Sequence, residues 1–224
     1  MRTQTKETQH LLTPRKALNI LMEGNKRFVS NIRFNRNLLQ QVNETSDGQF
    51  PFAVILSCID SRTSAELIFD QGLGDIFSVR IAGNVLNEDI LGSMEFACQV
   101  AGSKLIMVLG HSKCGAVKGA CNHVEMGHLT GLLEKILPSV ENVKNDKGDS
   151  IPYEQLVEDV ALDNVLRHME MIPQQSSVLR SLYKEGKICI VGAMYSVETG
   201  EVEIVKEMFN TSAASVAQAA ATLS

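Results

Sequence analysis

Three short stretches of almost unbroken apolar residues, Phe52–Leu56, Leu105–Leu109 and Ile188–Met194, constrain this chain more than any other feature. Each has the length of a strand, and strands that are apolar on both faces must be covered on both faces. Helical patterns separate them. Thr13-Pro14 offers a hydroxyl cap and a first-position proline to a helix whose stripe is Ala17, Leu18, Leu21, Met22 and Phe28. Asn87 caps a helix carrying Ile90, Leu91, Met94 and Ala97, and Cys114–Cys121 and Leu129–Val140 read as helices. Tyr153–His168 has helical spacing at Leu156, Val160, Val165 and Met169, and another helix follows Pro173. Ile76–Ile81 reads as a further strand and Glu201–Val205 as an alternating edge strand, whereas Asn31–Gly48 reads as polar loop and Asn142–Ser150 as a charged turn.

The expected fold is therefore α/β. A mostly parallel central sheet, about four parallel strands plus an antiparallel edge strand, is covered by helices and preceded by an N-terminal helical arm. No repeat or internal boundary divides the 224 residues, so one domain over 1–224 is expected, with 1–12 and 211–224 as loosely ordered tails.

Charge and composition exclude several classes. The formal net charge is -5 and no Lys/Arg run stands out, so neither nucleic acid nor an anionic membrane surface is a favoured partner. No apolar stretch reaches the ~20 residues of a membrane span, and Met1–Gln9 lacks the apolar region of a signal peptide. Five cysteines, an odd number, with no secretory signal argue for reduced thiols in the cytoplasm. Gly72-Leu73-Gly74 fails as a dinucleotide fingerprint because Phe77 takes the third glycine's place, and no Walker-type phosphate loop is present.

Chemistry concentrates at two strand ends. Ser57-Cys58-Ile59-Asp60-Ser61-Arg62 follows the first apolar run, and Gly110-His111-Ser112-Lys113-Cys114-Gly115 follows Leu105–Leu109. Open α/β sheets bind ligands beyond the carboxyl ends of their strands. If the two strands are neighbours, two thiols and an imidazole converge, the donor set of a catalytic zinc with one position left open. Isolated cysteines are usually core residues, and that reading is kept for Cys98, Cys121 and Cys189. His10, His123, His128 and His168 read as surface residues. Asp60 and Arg62 form an ion pair in which Arg62 keeps the carboxylate oriented and off the metal.

Cys58-x-Asp60-Ser61-Arg62 followed by His111-x-x-Cys114-Gly115 resembles the zinc signature of the β-class carbonic anhydrases, over about Thr13 to Val205. The resemblance implies a zinc lyase for reversible carbon dioxide hydration to bicarbonate and a proton, through zinc-bound hydroxide. Cys58, His111 and Cys114 would be ligands, with Asp60 and Arg62 as the catalytic dyad. It further implies a homodimer or dimer of dimers, with Gln49, Phe77, Phe96 and Gly115 as substrate-binding residues and Gln49 facing the neighbouring subunit's pocket. Some bacterial members bind inhibitory bicarbonate through Trp, Arg and Tyr. Arg80 and Tyr195 match, but Ile55 stands in the tryptophan position, so no such regulation is expected. Two readings compete: carbonyl sulfide or carbon disulfide hydrolysis on the same scaffold, and a non-catalytic protein that zinc merely stabilises. Two thiolates cancel the ion's charge, so bound water should be less acidic than on three imidazoles, where its pKa is about 7. Activity is therefore expected to rise from neutral to alkaline pH; a flat profile under chemistry-limited conditions would contradict this assignment.

Overall fold

The computed structural model describes residues 3–148 and 150–210; the expected C-terminal tail lies outside them. Helices α1 (Lys6–His10), α2 (Pro14–Val29) and α3 (Leu38–Glu44) precede strand β1 (Ala53–Ser57), which is followed by α4 (Ala65–Ile68), β2 (Ile76–Arg80) and α5 (Glu88–Glu95). A π turn at Phe96–Val100 leads to β3 (Leu105–His111), followed by α6 (Gly115–Cys121), α7 (Gly127–Leu133), α8 (Leu137–Lys147), α9 (Tyr153–Gln175) and α10 (Ser177–Lys184). The chain ends its described part in β4 (Cys189–Tyr195) and β5 (Val202–Met208).

The sheet has the order β2-β1-β3-β4-β5, with every pair parallel except β4–β5. Its two faces divide the apolar strand residues by their period of two. Ile55, Met107 and Val191 face Ala17, Leu18 and Leu21 of α2. Val54, Ile106, Val108 and Ile190 face Met94 of α5, Met169 of α9 and Leu179 of α10. A third cluster, built by α6, α8 and α9, closes over the carboxyl end of β1 around Cys58 and Cys114.

β1 and β3 are direct neighbours, with Ser57 level with Leu109. One residue further on, Cys58 leaves its strand beside Gly110, and β3 continues through His111 where the apolar run alone would end it. A Cβ at Gly110 would lie 2.5 Å from Val165 Cγ2 and 2.7 Å from Met194 Sδ. The missing side chain lets α9 press directly on the strand just before His111.

Four local readings need correction. Residues 31–48 are not all loop: Asn37 caps α3 through its side chain, and Gln41, buried, accepts a hydrogen bond from Leu73 N–H. The segment is docked by polar contacts, which composition disguises. The helix expected at 129–140 breaks ahead of Pro138, and α8 then absorbs most of the expected charged turn, stopping at Gly148 with φ +81°. α9 passes through Pro173, which falls in the last turn, so the bond it forgoes to Met169 O and the clash of its ring come where the helix is ending at Gln175. Lys6–His10, expected within a loose tail, form a capped helical turn whose Gln9 side chain donates to Pro51 O and Ala101 O, both at 2.8 Å.

His168 is buried, not at the surface. It follows Asn164 by four residues and so shares the inward stripe of α9. Burial, aided by Arg167 and Lys135, pushes its pKa from 6.5 down to about 4. The unfolded chain therefore takes up a proton, as pH falls from about 6.5 towards 4, that the folded chain refuses, and stability present above that window is lost within it. His168→Leu should shrink the drop in urea midpoint between about pH 7 and about pH 5 relative to the native chain; an unchanged drop would refute this.

Candidate active site

The Cys58 loop is fixed through its backbone. Arg80, at the end of β2, donates from Nε to Cys58 O (3.0 Å) and from Nη2 to Asp60 O (2.6 Å). Thr63 Oγ1 lies 3.0 Å from the first carbonyl and 2.8 Å from the second. Cys58 Sγ accepts the Gly83 N–H at 3.4 Å.

His111 is tied down just as closely. Its Nδ1 lies 2.9 Å from Ser112 O. A carbonyl only accepts, so Nδ1 carries the proton and Nε2 presents its lone pair. Ser112 is itself pinned, its N–H donating to Tyr195 O and its Oγ accepting from Val197 N–H, both at 3.0 Å. The turn to Cys114 passes through Lys113 at φ +57°, whose N–H donates to Glu158 Oε1 of α9 at 2.8 Å. Cys114 then stands at the position just before the first residue of α6.

These segments bring Cys58, His111 and Cys114 together, all buried, with their donor atoms within 4.8 Å of one another. The two sulfurs are 3.9 Å apart. Tetrahedral zinc with bonds of about 2.3 Å would hold them about 3.8 Å apart, so the donor set fits that ion. His111 Nε2 is buried and has no hydrogen-bond partner among the described residues, as expected of an atom reserved for a metal. The Cys58 thiol is drawn down, first by the hydrogen bond from Cys114, with His111 and the Gly83 N–H adding; Cys114 is pushed up by the thiolate beside it and by burial. A bound dication reverses that second shift, since a coordinating thiol loses its proton.

Asp60 stands at the edge of this group but outside it. Arg62 donates to its carboxylate from Nε at 2.9 Å, from Nη2 at 2.7 Å and from its backbone N–H at 3.0 Å. Those bonds hold the Asp60 carboxyl far below the usual carboxylate range, despite partial burial. Asp60 Oδ2 is 4.0 Å from His111 Nε2, close enough to border a water on the open side of the site.

The remaining sequence-derived residues are distributed otherwise. Gly115 is the exposed first residue of α6, open enough that a Cβ there would touch nothing. Phe77 pairs with Val54 in β1, four residues short of Cys58 and so about 13 Å away along the strand. It meets Phe96 edge-to-face with ring centroids 6.3 Å apart. Gln49 enters from the opposite end of β1, so one chain alone does not bring it to its own thiols. Sequence reasoning missed Thr63, Gly83, Glu158 and Asn164, which hold the ligand loops and belong to no recognisable motif, and it gave no role to Ser112 although that residue lies between His111 and Cys114. It noticed Arg80 for a different purpose.

A family model for carbonic anhydrase matches residues 53–202. Carbonic anhydrase 2 of Mycobacterium tuberculosis is 37% identical over 198 residues, which cover 84% of this chain and 90% of the relative. Among solved structures, the β-carbonic anhydrase CcaA superposes with a TM-score of 0.68 at 27% identity, covering 84% of this chain and 95% of that one. A β-carbonic anhydrase of the ascomycete Sordaria macrospora, described as tetrameric, shares the fold with a TM-score of 0.67 at 22% identity over 71% of this chain and 83% of that one. The chain therefore belongs to the carbonic anhydrases, and within them to the β class.

Cys114→Ala and His111→Ala should each purify without stoichiometric zinc, as read by elemental analysis; full zinc occupancy in either variant would remove that residue from the ligand set.

Proposed function

We propose that this chain catalyses reversible hydration of carbon dioxide to bicarbonate and a proton at a zinc held by Cys58, His111 and Cys114. The observation that carries the proposal is the pairing of three buried, convergent donors with a carboxylate that Arg62 turns aside. Bound there, zinc supplies the Lewis acidity that makes water a nucleophile near neutral pH.

The chain's own groups do the rest. Asp60, permanently ionised beside Arg62, accepts a hydrogen bond from water at Oδ2 and so sets the direction of its lone pair. Arg62 keeps Asp60 from occupying the open position. Burial of the three donors keeps bulk water from competing for them. Gln49, Phe77 and Phe96 would form the carbon dioxide pocket across a subunit boundary, with Gln49 donating a hydrogen bond and the two rings giving an apolar wall; the exposed backbone N–H end at Gly115 borders it.

Assembly into a homodimer or a dimer of dimers agrees with large apolar side chains left in solvent: Val100 is 70% exposed, Leu39 72% and Ile59 61%. The tetrameric Sordaria relatives point the same way. No helix among the described residues is long and apolar enough to cross a membrane. All five cysteines are free, and those in the site must stay reduced to bind metal, which fits a reducing cytoplasm. Inhibition by bicarbonate at a second site is not expected, because Ile55 is fully buried in the core and Arg80 is committed to the carbonyls of Cys58 and Asp60.

Stopped-flow carbon dioxide hydration with and without a chelator, paired with zinc quantification and a parallel carbonyl sulfide assay, tests the reading. Asp60→Asn should keep zinc and lose roughly 10²-fold or more in turnover, the size expected when a positioned acid–base group is removed. Full activity in that variant would eliminate the role of Asp60, and chelator-resistant hydration would eliminate that of the metal. Faster turnover of carbonyl sulfide than of carbon dioxide would transfer the assignment to sulfide hydrolysis.

A further inference from the structure

We infer that Asn164 is a positioning residue of the metal site: its amide holds the Gly83 carbonyl so that the Gly83 N–H stays aimed at Cys58 Sγ. The inference rests on the zinc reading above and concerns a residue remote in sequence from every ligand.

Asn164 is fully buried on α9, where Val157, Val160, Ala161 and Val165 beside it are apolar and His168, one turn further on, is the other buried polar side chain of the stripe. Its Nδ2 donates to Gly83 O at 2.8 Å, whereas its Oδ1 finds no partner among the described residues. A buried amide with half its capacity unmet is unfavourable compared with an apolar side chain of similar size. Packing alone therefore does not account for asparagine at this position, and the one bond it makes leads to the metal site.

The turn it grips is closed by the Asn84 N–H bond to Ile81 O at 3.0 Å, but its backbone is in an unusual conformation. Gly83 has φ +67° and is followed by Asn84 at φ +44°, so two consecutive residues are left-handed and the second is not glycine. Left-handed backbone is unfavourable for a residue with a Cβ, though least so for asparagine, and a contact from outside the turn helps to hold it. On the other side, a Cβ at Gly83 would lie 2.6 Å from Cδ1 of Ile136, the residue just before α8, so that side chain limits how far the turn can shift. Between these contacts, the Gly83 N–H reaches Cys58 Sγ at 3.4 Å. An N–H bond to a thiolate fixes which lone pair faces the metal and draws electron density from the sulfur, the usual effect of outer contacts on metal ligands. The path is short and continuous: Asn164 Nδ2–H to Gly83 O, across one residue, then Gly83 N–H to Cys58 Sγ.

The test compares zinc affinity, by chelator competition, and the near-ultraviolet thiolate-to-cobalt band of the cobalt-substituted protein, in full-length native chain and variants. Asn164→Ala and Asn164→Leu should bind zinc about 10–100-fold more weakly and shift the cobalt band, the loss typical of outer-contact removal. Asn164→Leu keeps the number and branching of side-chain heavy atoms and is read where Asn164→Ala fails to fold. Ile172→Ala, a buried truncation two turns along the same helix, controls for general destabilisation and should change neither reading. Zinc bound as tightly by the Asn164 variants as by the native chain would overturn the inference, as would an equal loss in Ile172→Ala. A native chain without zinc affinity would instead count against the metal reading itself.

Discussion

Two thiols and an imidazole face one another, all buried, and a shared cation would satisfy all three. Left to themselves, buried donors of this kind pull in opposite directions: the Cys58 thiol is drawn down, the Cys114 thiol is pushed up, and His111 Nε2 has no hydrogen-bond partner among the described residues. A dication would turn these conflicts into bonds, because it would stabilise both thiolates and take the imidazole lone pair. The rest of the architecture follows from placing those three atoms together and keeping them there.

Placement comes from the sheet. Parallel pairing of β1 and β3 with Ser57 level with Leu109 delivers Cys58 and His111 to adjacent strand ends. Retention comes from α9, which reaches both ligand loops. Glu158 holds the turn between His111 and Cys114, Val165 presses on Gly110, and Asn164 holds the Gly83 turn that touches Cys58. The open side is left to Asp60, whose bidentate bond to Arg62 keeps it a neighbour of the site and not a member of it.

Where sequence reading failed, polar residues were doing structural work. Asn37, Gln41 and Gln9 dock segments that look like loop or tail by composition, because a single side-chain hydrogen bond to backbone carries no periodic signal. The Lys- and Asp-rich end of α8 looked like a turn, yet Val140 and Val143 anchor one face and Gly148 stops the helix. His168 looked exposed because histidine usually is, although its spacing from Asn164 put it on the buried stripe.

The amino-acid sequence alone determined the α/β class and the donor set, since doubly covered strands require continuous apolar runs and metal chemistry requires specific side chains. Both are properties of residue type and short-range order. Strand neighbourhood, the commitment of Arg80 to two carbonyls and the grip of α9 on the ligand loops were decided only in three dimensions. They depend on contacts between segments far apart in the chain, and such contacts leave no local pattern to read.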